Sequence, residues 1–184
     1  MRALTNHEVV AWVASQPDLV VDERELRFPP SDVEPLHFHF PMKEGQLLYF
    51  ARLLASLHHD ETTFAGALLW ITQTGVWGKF VEDIGHRTMR LLRAGGSQNV
   101  LRENPAQLFG EHELLDAVIF LLQPILVGWD AYYYPIFKDA RSDFLVKISH
   151  DAYADVMPVD PAARRAIQER LAGTAFGEAD CRCL

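Results

Sequence analysis

The sequence predicts an α+β fold: a helical core of about five to six helices packed on a small antiparallel sheet, with a β-hairpin in the C-terminal half. Three observations carry that expectation. Apolar residues recur at helical spacing through much of residues 46–93. A continuous apolar run, AVIFLLQPILVGW at 117–129, reads as a buried helix. It is shorter than the roughly 20 residues a membrane span needs, and it contains Gln123 and Pro124. The pattern then changes to period two in WDAYYYPIF and DFLVKISHD, two aromatic and β-branched runs separated by KDARS, which is the signature of a hairpin.

The chain opens with TNHE, where Thr5 and Glu8 have the spacing of a capping box, and Val9, Val10 and Val13 give the helix to about Ser15 an apolar side. DLVV and ELRF flank the acidic DER and read as short strands or extended arms before the PPS turn. LHFHF, closed by Pro41, is the next strand. In EGQLLYFARLLASLHH the residues Leu47, Phe50, Ala51, Leu54 and His58 share one helix face. Asp60 is placed to cap a further helix whose inward stripe is Phe64, Ala67, Leu68 and Ile71, weakened by the segment Gly75 to Gly78. A third helix from about Lys79 to Arg93 carries Phe80, Ile84 and Leu91 inward and ends at Gly95-Gly96. Asn104-Pro105 opens a short helical turn, and the apolar helix from about Glu111 bends or stops near Pro124. Asp160-Pro161 starts the last helix, with Ala163, Ile167 and Leu171 buried and Gly173 as the stop.

Composition bounds the function. The 184 residues suit a single globular domain, 1–184, with about 174–184 as a loose tail. Acidic residues outnumber basic ones by 25 to 17, a formal charge of -8, which lacks the electrostatic footprint of a nucleic-acid or anionic-membrane binder. Cys181 and Cys183, two residues apart in the terminal CRCL, are poorly placed to staple a core. CRCL has the register of a prenylation box, but Arg182 stands where an aliphatic residue is wanted. MRALTNHEVV lacks the apolar stretch of a secretory signal, so the cytoplasm is the default location.

Four constellations carry chemistry. In PLHFHFP, strand alternation puts Leu36, Phe38 and Phe40 on one face and His37 and His39 on the other. Paired imidazoles suit a divalent transition metal such as Zn, and Glu44 adds a carboxylate at H-x-H-x4-E spacing. HHDE supplies His58 and His59, completing the metal candidates His37, His39, Glu44, His58 and His59, which need to converge to make a site. If KDARS closes the hairpin symmetrically, Tyr134 faces Val146, Tyr132 faces Ile148 and Asp130 faces His150. Asp130 and His150 then form a cross-strand stabilising pair, with a candidate catalytic dyad as the sharper alternative. Trp129, Tyr132, Tyr133 and Tyr134 form an aromatic run of the kind that anchors partners. Walker, dinucleotide-fingerprint, zincin, EF-hand and nucleophile-elbow motifs are all missing from the sequence.

The expectation drawn from these features is a soluble acidic intracellular binding protein without intrinsic catalysis or cofactor. Its concrete form is an immunity-type inhibitor of a basic partner such as a toxin or nuclease. The alternative is a metal-dependent hydrolase or oxygenase with a histidine-rich site, and assembly into a homo-oligomer stays open.

Overall fold

The computed structural model describes residues 1–22, 25–29, 32–41, 43–73, 104–138, 142–172, 174 and 176. The elements run β1 (Arg2–Leu4), α1 (Asn6–Ala14), β2 (Val20–Asp22), β3 (Glu25–Arg27), β4 (Leu36–His39), α2 (Glu44–Ser56), a 3-10 turn (Glu61–Thr63) and β5 (Phe64–Gln73). They continue with β6 (Ala106–Phe109), α3 (Leu114–Val127), β7 (Asp130–Phe137), β8 (Phe144–Ser149), β9 (Tyr153–Pro158) and α4 (Pro161–Ala172). Seven strands form one antiparallel sheet in the order β1-β6-β5-β7-β8-β9-β4, and β2 pairs β3 in a separate ribbon.

This corrects the predicted architecture. The large sheet is the organising element, and the described residues hold four α-helices, so a core of five to six helices on a small sheet is overturned. The decisive misreading is FAGALLWITQ. Phe64, Ala67, Leu68 and Ile71 fit a helical stripe, but Ala67 to Ile71 are all buried, because β5 lies inside the sheet with both faces covered. A strand buried on two faces is a continuous apolar run, and the period-two alternation that would distinguish it from a helix disappears. Asp60 caps only the 3-10 turn, accepting from the Thr62 amide at 2.9 Å. Asn104-Pro105 leads into strand β6 rather than a helical turn. Gly66 stands where β5 passes β6 so closely that a Cβ would meet the Phe109 carbonyl oxygen at 2.6 Å.

Other expectations hold. Thr5 and Glu8 make a complete capping box on α1. DLVV and ELRF contribute β2 and β3, LHFHF contributes β4, and the hairpin of WDAYYYPIF with DFLVKISHD is β7–β8. Helix α3, expected to bend or stop near Pro124, instead continues past it to Val127 and ends at Gly128, whose φ of +67° is the left-handed conformation that terminates helices. Asp160 caps α4 by accepting from the Ala162 and Ala163 amides. Phe176, which the sequence places in a loose tail, is instead buried against Phe50 and Tyr49. The predicted helix Lys79–Arg93 with its flanking glycines, and the CRCL end, lie outside the described residues.

Two cores result, one on each side of the sheet. On the first, Ala67, Leu69, Tyr133, Phe144, Val146 and Phe38 pack with the buried faces of α2, α3 and α4. On the second, Leu68, Trp70, Tyr132, Tyr134 and Leu145 pack with Val9 and Val13 of α1 and with Leu26 and Phe28 around the ribbon. That second cover is short. It leaves the outer part of its face, over β8, β9 and β4, to polar side chains.

Candidate functional site

The hairpin register differs from the symmetric reading by one residue. Tyr133 faces Val146, Tyr132 faces Lys147 and Ala131 faces Ile148. The Asp130–His150 contact forms nevertheless. His150 lies one residue beyond β8, in the turn, and both its backbone N–H (2.8 Å) and its Nδ1 (2.9 Å) reach Asp130 Oδ1. Asp130 raises the His150 pKa above its ordinary value, chiefly through that hydrogen bond and then through its charge. The pair rims an open cavity of about 440 Å³ on the second face, lined also by Glu25, Tyr132, Lys147, Ser149 and Tyr153. Ser149 Oγ accepts from the Asp151 amide at 3.2 Å, and no contact joins it to His150, so a Ser–His relay is not assembled.

His37 and His39 stand on the same second face, since Leu36 and Phe38 are buried in the first core. Register carries Tyr132 to Lys147, Lys147 to Asp155 and Asp155 to His37, so a polar row crosses the sheet. His37 Nδ1 contacts Asp155 Oδ1 at 2.6 Å, and its ring lies against Tyr153 at 4.5 Å. His39 sits edge-on to it, exposed, at 5.3 Å between ring centroids. The Glu44 side chain is outside the described part of the structure.

His58 and His59 go elsewhere. They follow α2 and pack at the turn end of the hairpin, on the first face, where His59 stacks on Phe137 at 3.9 Å and an interplanar angle of 17°. Both rings point at Asp143, the residue before β8: His58 Nε2 lies 2.9 Å from Oδ2, and His59 Nε2 lies 2.8 Å from Oδ1. Among the described residues these three form a group whose ligand atoms all lie within 4.8 Å of one another. Burial pushes the Asp143 carboxyl up, but hydrogen bonds and charge from His58 and His59 outweigh it and hold the group well below the usual carboxylate range. The predicted metal set is therefore split, with His58 and His59 meeting a carboxylate the sequence reading did not include. Asp143 sits 84 and 85 residues from its two partners, and no local spacing links them.

The aromatic run turns inward. Trp129, Tyr132, Tyr133 and Tyr134 are each at most 4% exposed, and Tyr133 donates to the Ala55 carbonyl at 3.0 Å. These four side chains anchor the two cores. The outer surface of α3 is the opposite case. Leu115 is 70% exposed and Leu126 52% exposed, with Ile119 and Leu122 half-buried between them.

Searches against protein-family models, curated proteins and solved structures gave no match for this chain. Among the described residues, no helix is long and apolar enough to cross a membrane.

Proposed function

We propose that this chain is a binding protein without catalysis of its own, acting in the cytoplasm on a basic protein partner as an immunity-type inhibitor acts on a toxin or nuclease. The observation that carries this reading is the outer face of α3. Leu115, Ile119, Leu122 and Leu126 follow one another at intervals of four, three and four residues, which aligns them on one side of the helix. A core-facing stripe would be buried, whereas this one ends in two of the most exposed leucines of the described chain. Exposed apolar patches on proteins of this kind mark interaction surfaces. Leu48 and Tyr49, each about half exposed, lie on α2, the helix packed beside α3. The formal charge of -8 supplies the electrostatic half of the reading, because a basic partner is drawn to such a surface and an acidic one is repelled.

The test is a pull-down with the wild-type chain and the double variant Leu115→Lys, Leu126→Lys at low and high salt, alongside light scattering of the chain alone. Capture of a basic protein by the wild type, weakened by salt and abolished in a variant that melts normally, supports the reading. Capture that is indifferent to both salt and the variant overturns it. A wild-type dimer that the variant converts to monomer overturns it as well, and assigns α3 to a second copy of the chain.

A further inference from the structure

We propose that His58, His59 and Asp143 bind one divalent transition metal ion. Two imidazoles and one carboxylate are a borderline donor set that suits Zn or Fe(II), while Mg and Ca prefer all-oxygen surroundings. The ring nitrogens sit 2.9 and 2.8 Å from the carboxylate oxygens as hydrogen bonds, and an opening of about half an ångström brings them to the roughly 3.4 Å that separates neighbouring ligands on a tetrahedral ion with bonds of about 2.1 Å.

The surroundings hold these groups in place independently of one another. Leu57, between α2 and the histidines, has a φ of +46°. A positive φ is unfavourable for a leucine, and here it turns the chain so that both imidazoles face the hairpin. Leu57 itself is 1% exposed, and the adjacent end of α2 is tied to the sheet by the Tyr133 hydroxyl. His59 is set by its stack on Phe137. On the hairpin side the Asp143 carbonyl accepts from the Val159 amide at 2.7 Å, and Ser142 Oγ donates to the Phe144 carbonyl at 2.7 Å. Packing of the rings and these backbone hydrogen bonds beside Asp143 restrict where the ligands can stand, which is what a preorganised site requires.

His58 would ligate through Nε2, the ring nitrogen that faces Asp143, while its buried Nδ1 has no hydrogen-bond partner among the described residues. The outer hydrogen bond that a ligating histidine ordinarily donates is therefore not supplied by the described protein groups. Three protein ligands leave positions open for water or a small anion. Metal binding there stands apart from the docking face on α3, and either can fail without the other.

The experiment titrates Zn(II) into the chelator-treated full chain by calorimetry, with Co(II) absorption as a spectroscopic readout of nitrogen and oxygen ligation. His59→Ala and Asp143→Asn are compared with His37→Ala, His39→Ala and with Cys181→Ser, Cys183→Ser, each checked for folding by circular dichroism. The expected result is one equivalent bound by the wild type and by both control variants. Affinity should fall by more than about tenfold in His59→Ala and Asp143→Asn, since even outer partners of metal ligands contribute that much. Should Asp143→Asn fail to fold, His59→Ala and the wild-type Co(II) spectrum decide. A wild type that binds no ion, or binds it equally in His59→Ala, overturns the proposal, as does loss confined to either control variant.

Discussion

At the open end of the β7–β8 hairpin, Asp130 takes the ring and the backbone N–H of His150; at the turn end, Asp143 takes two rings, His58 and His59. Both are aspartate–histidine contacts on the same pair of strands. At the open end the partners are 20 residues apart and both belong to the hairpin, His150 is 37% exposed, and water competes for every bond. At the turn end the imidazoles arrive from the end of α2, pack with His59 against Phe137 and both rings near Phe144, and are 16% and 14% exposed. The same two residue types therefore make a surface latch in one place and a shielded cluster in the other. The difference is made by tertiary packing, because shielding raises the strength of each electrostatic contact while exposure lets solvent screen it.

The largest effect should come from removing the packing beneath the shielded end. Phe144 is fully buried, and Phe144→Ala is expected to destabilise the chain by about 3–5 kcal/mol in denaturant unfolding. It should also release the His58 and His59 ring signals in NMR spectra while leaving those of His150 in place. If all three histidines respond alike, the two ends are not separate environments.

A smaller effect should follow from Tyr133→Phe, which keeps the ring and strands the buried Ala55 carbonyl. The loss should be about 1–3 kcal/mol, again with the disturbance concentrated at the end of α2. An unchanged denaturation midpoint would show that this carbonyl finds another partner.

The smallest effect belongs to the open end and is read by its pH dependence. Asp130 raises the His150 pKa, so its stabilisation is fully present below the ordinary histidine value of about 6.5 and is lost as pH rises through the higher folded value. Asp130→Asn should accordingly lower the melting temperature at about pH 5 and hardly at all at about pH 9. Added salt should shrink the difference at the lower pH. A deficit constant across that range would mean that Asp130 acts through the His150 backbone N–H and not through the ring.

Legibility in the sequence followed the range of each interaction. The Thr5–Glu8 capping box, the Asp160 cap of α4, the short strands of DLVV and ELRF, and the inward Leu36 and Phe38 were all readable because each depends on neighbours a few residues away. The hairpin was readable as an element, yet its register was not. Symmetric closure of KDARS puts Tyr132 opposite Ile148, whereas the structure pairs Tyr132 with Lys147. The Asp130–His150 contact survives that shift because His150 lies in a turn, free of the strand's alternation.

What the sequence by itself determined is therefore local: caps, the α1, α2 and α4 stripes, and the apolar identity of segments such as FAGALLWITQ. What only the tertiary structure decided is whether that segment is helix or strand, and which side chains from distant segments meet. Both turn on covering the two sides of one sheet. Coverage on both faces makes β5 uniformly apolar, which hides its period. It turns Tyr132, Tyr133 and Tyr134 into core. It also brings the end of α2 down on Asp143, so a carboxylate and two imidazoles separated by more than eighty residues become neighbours by packing rather than by sequence.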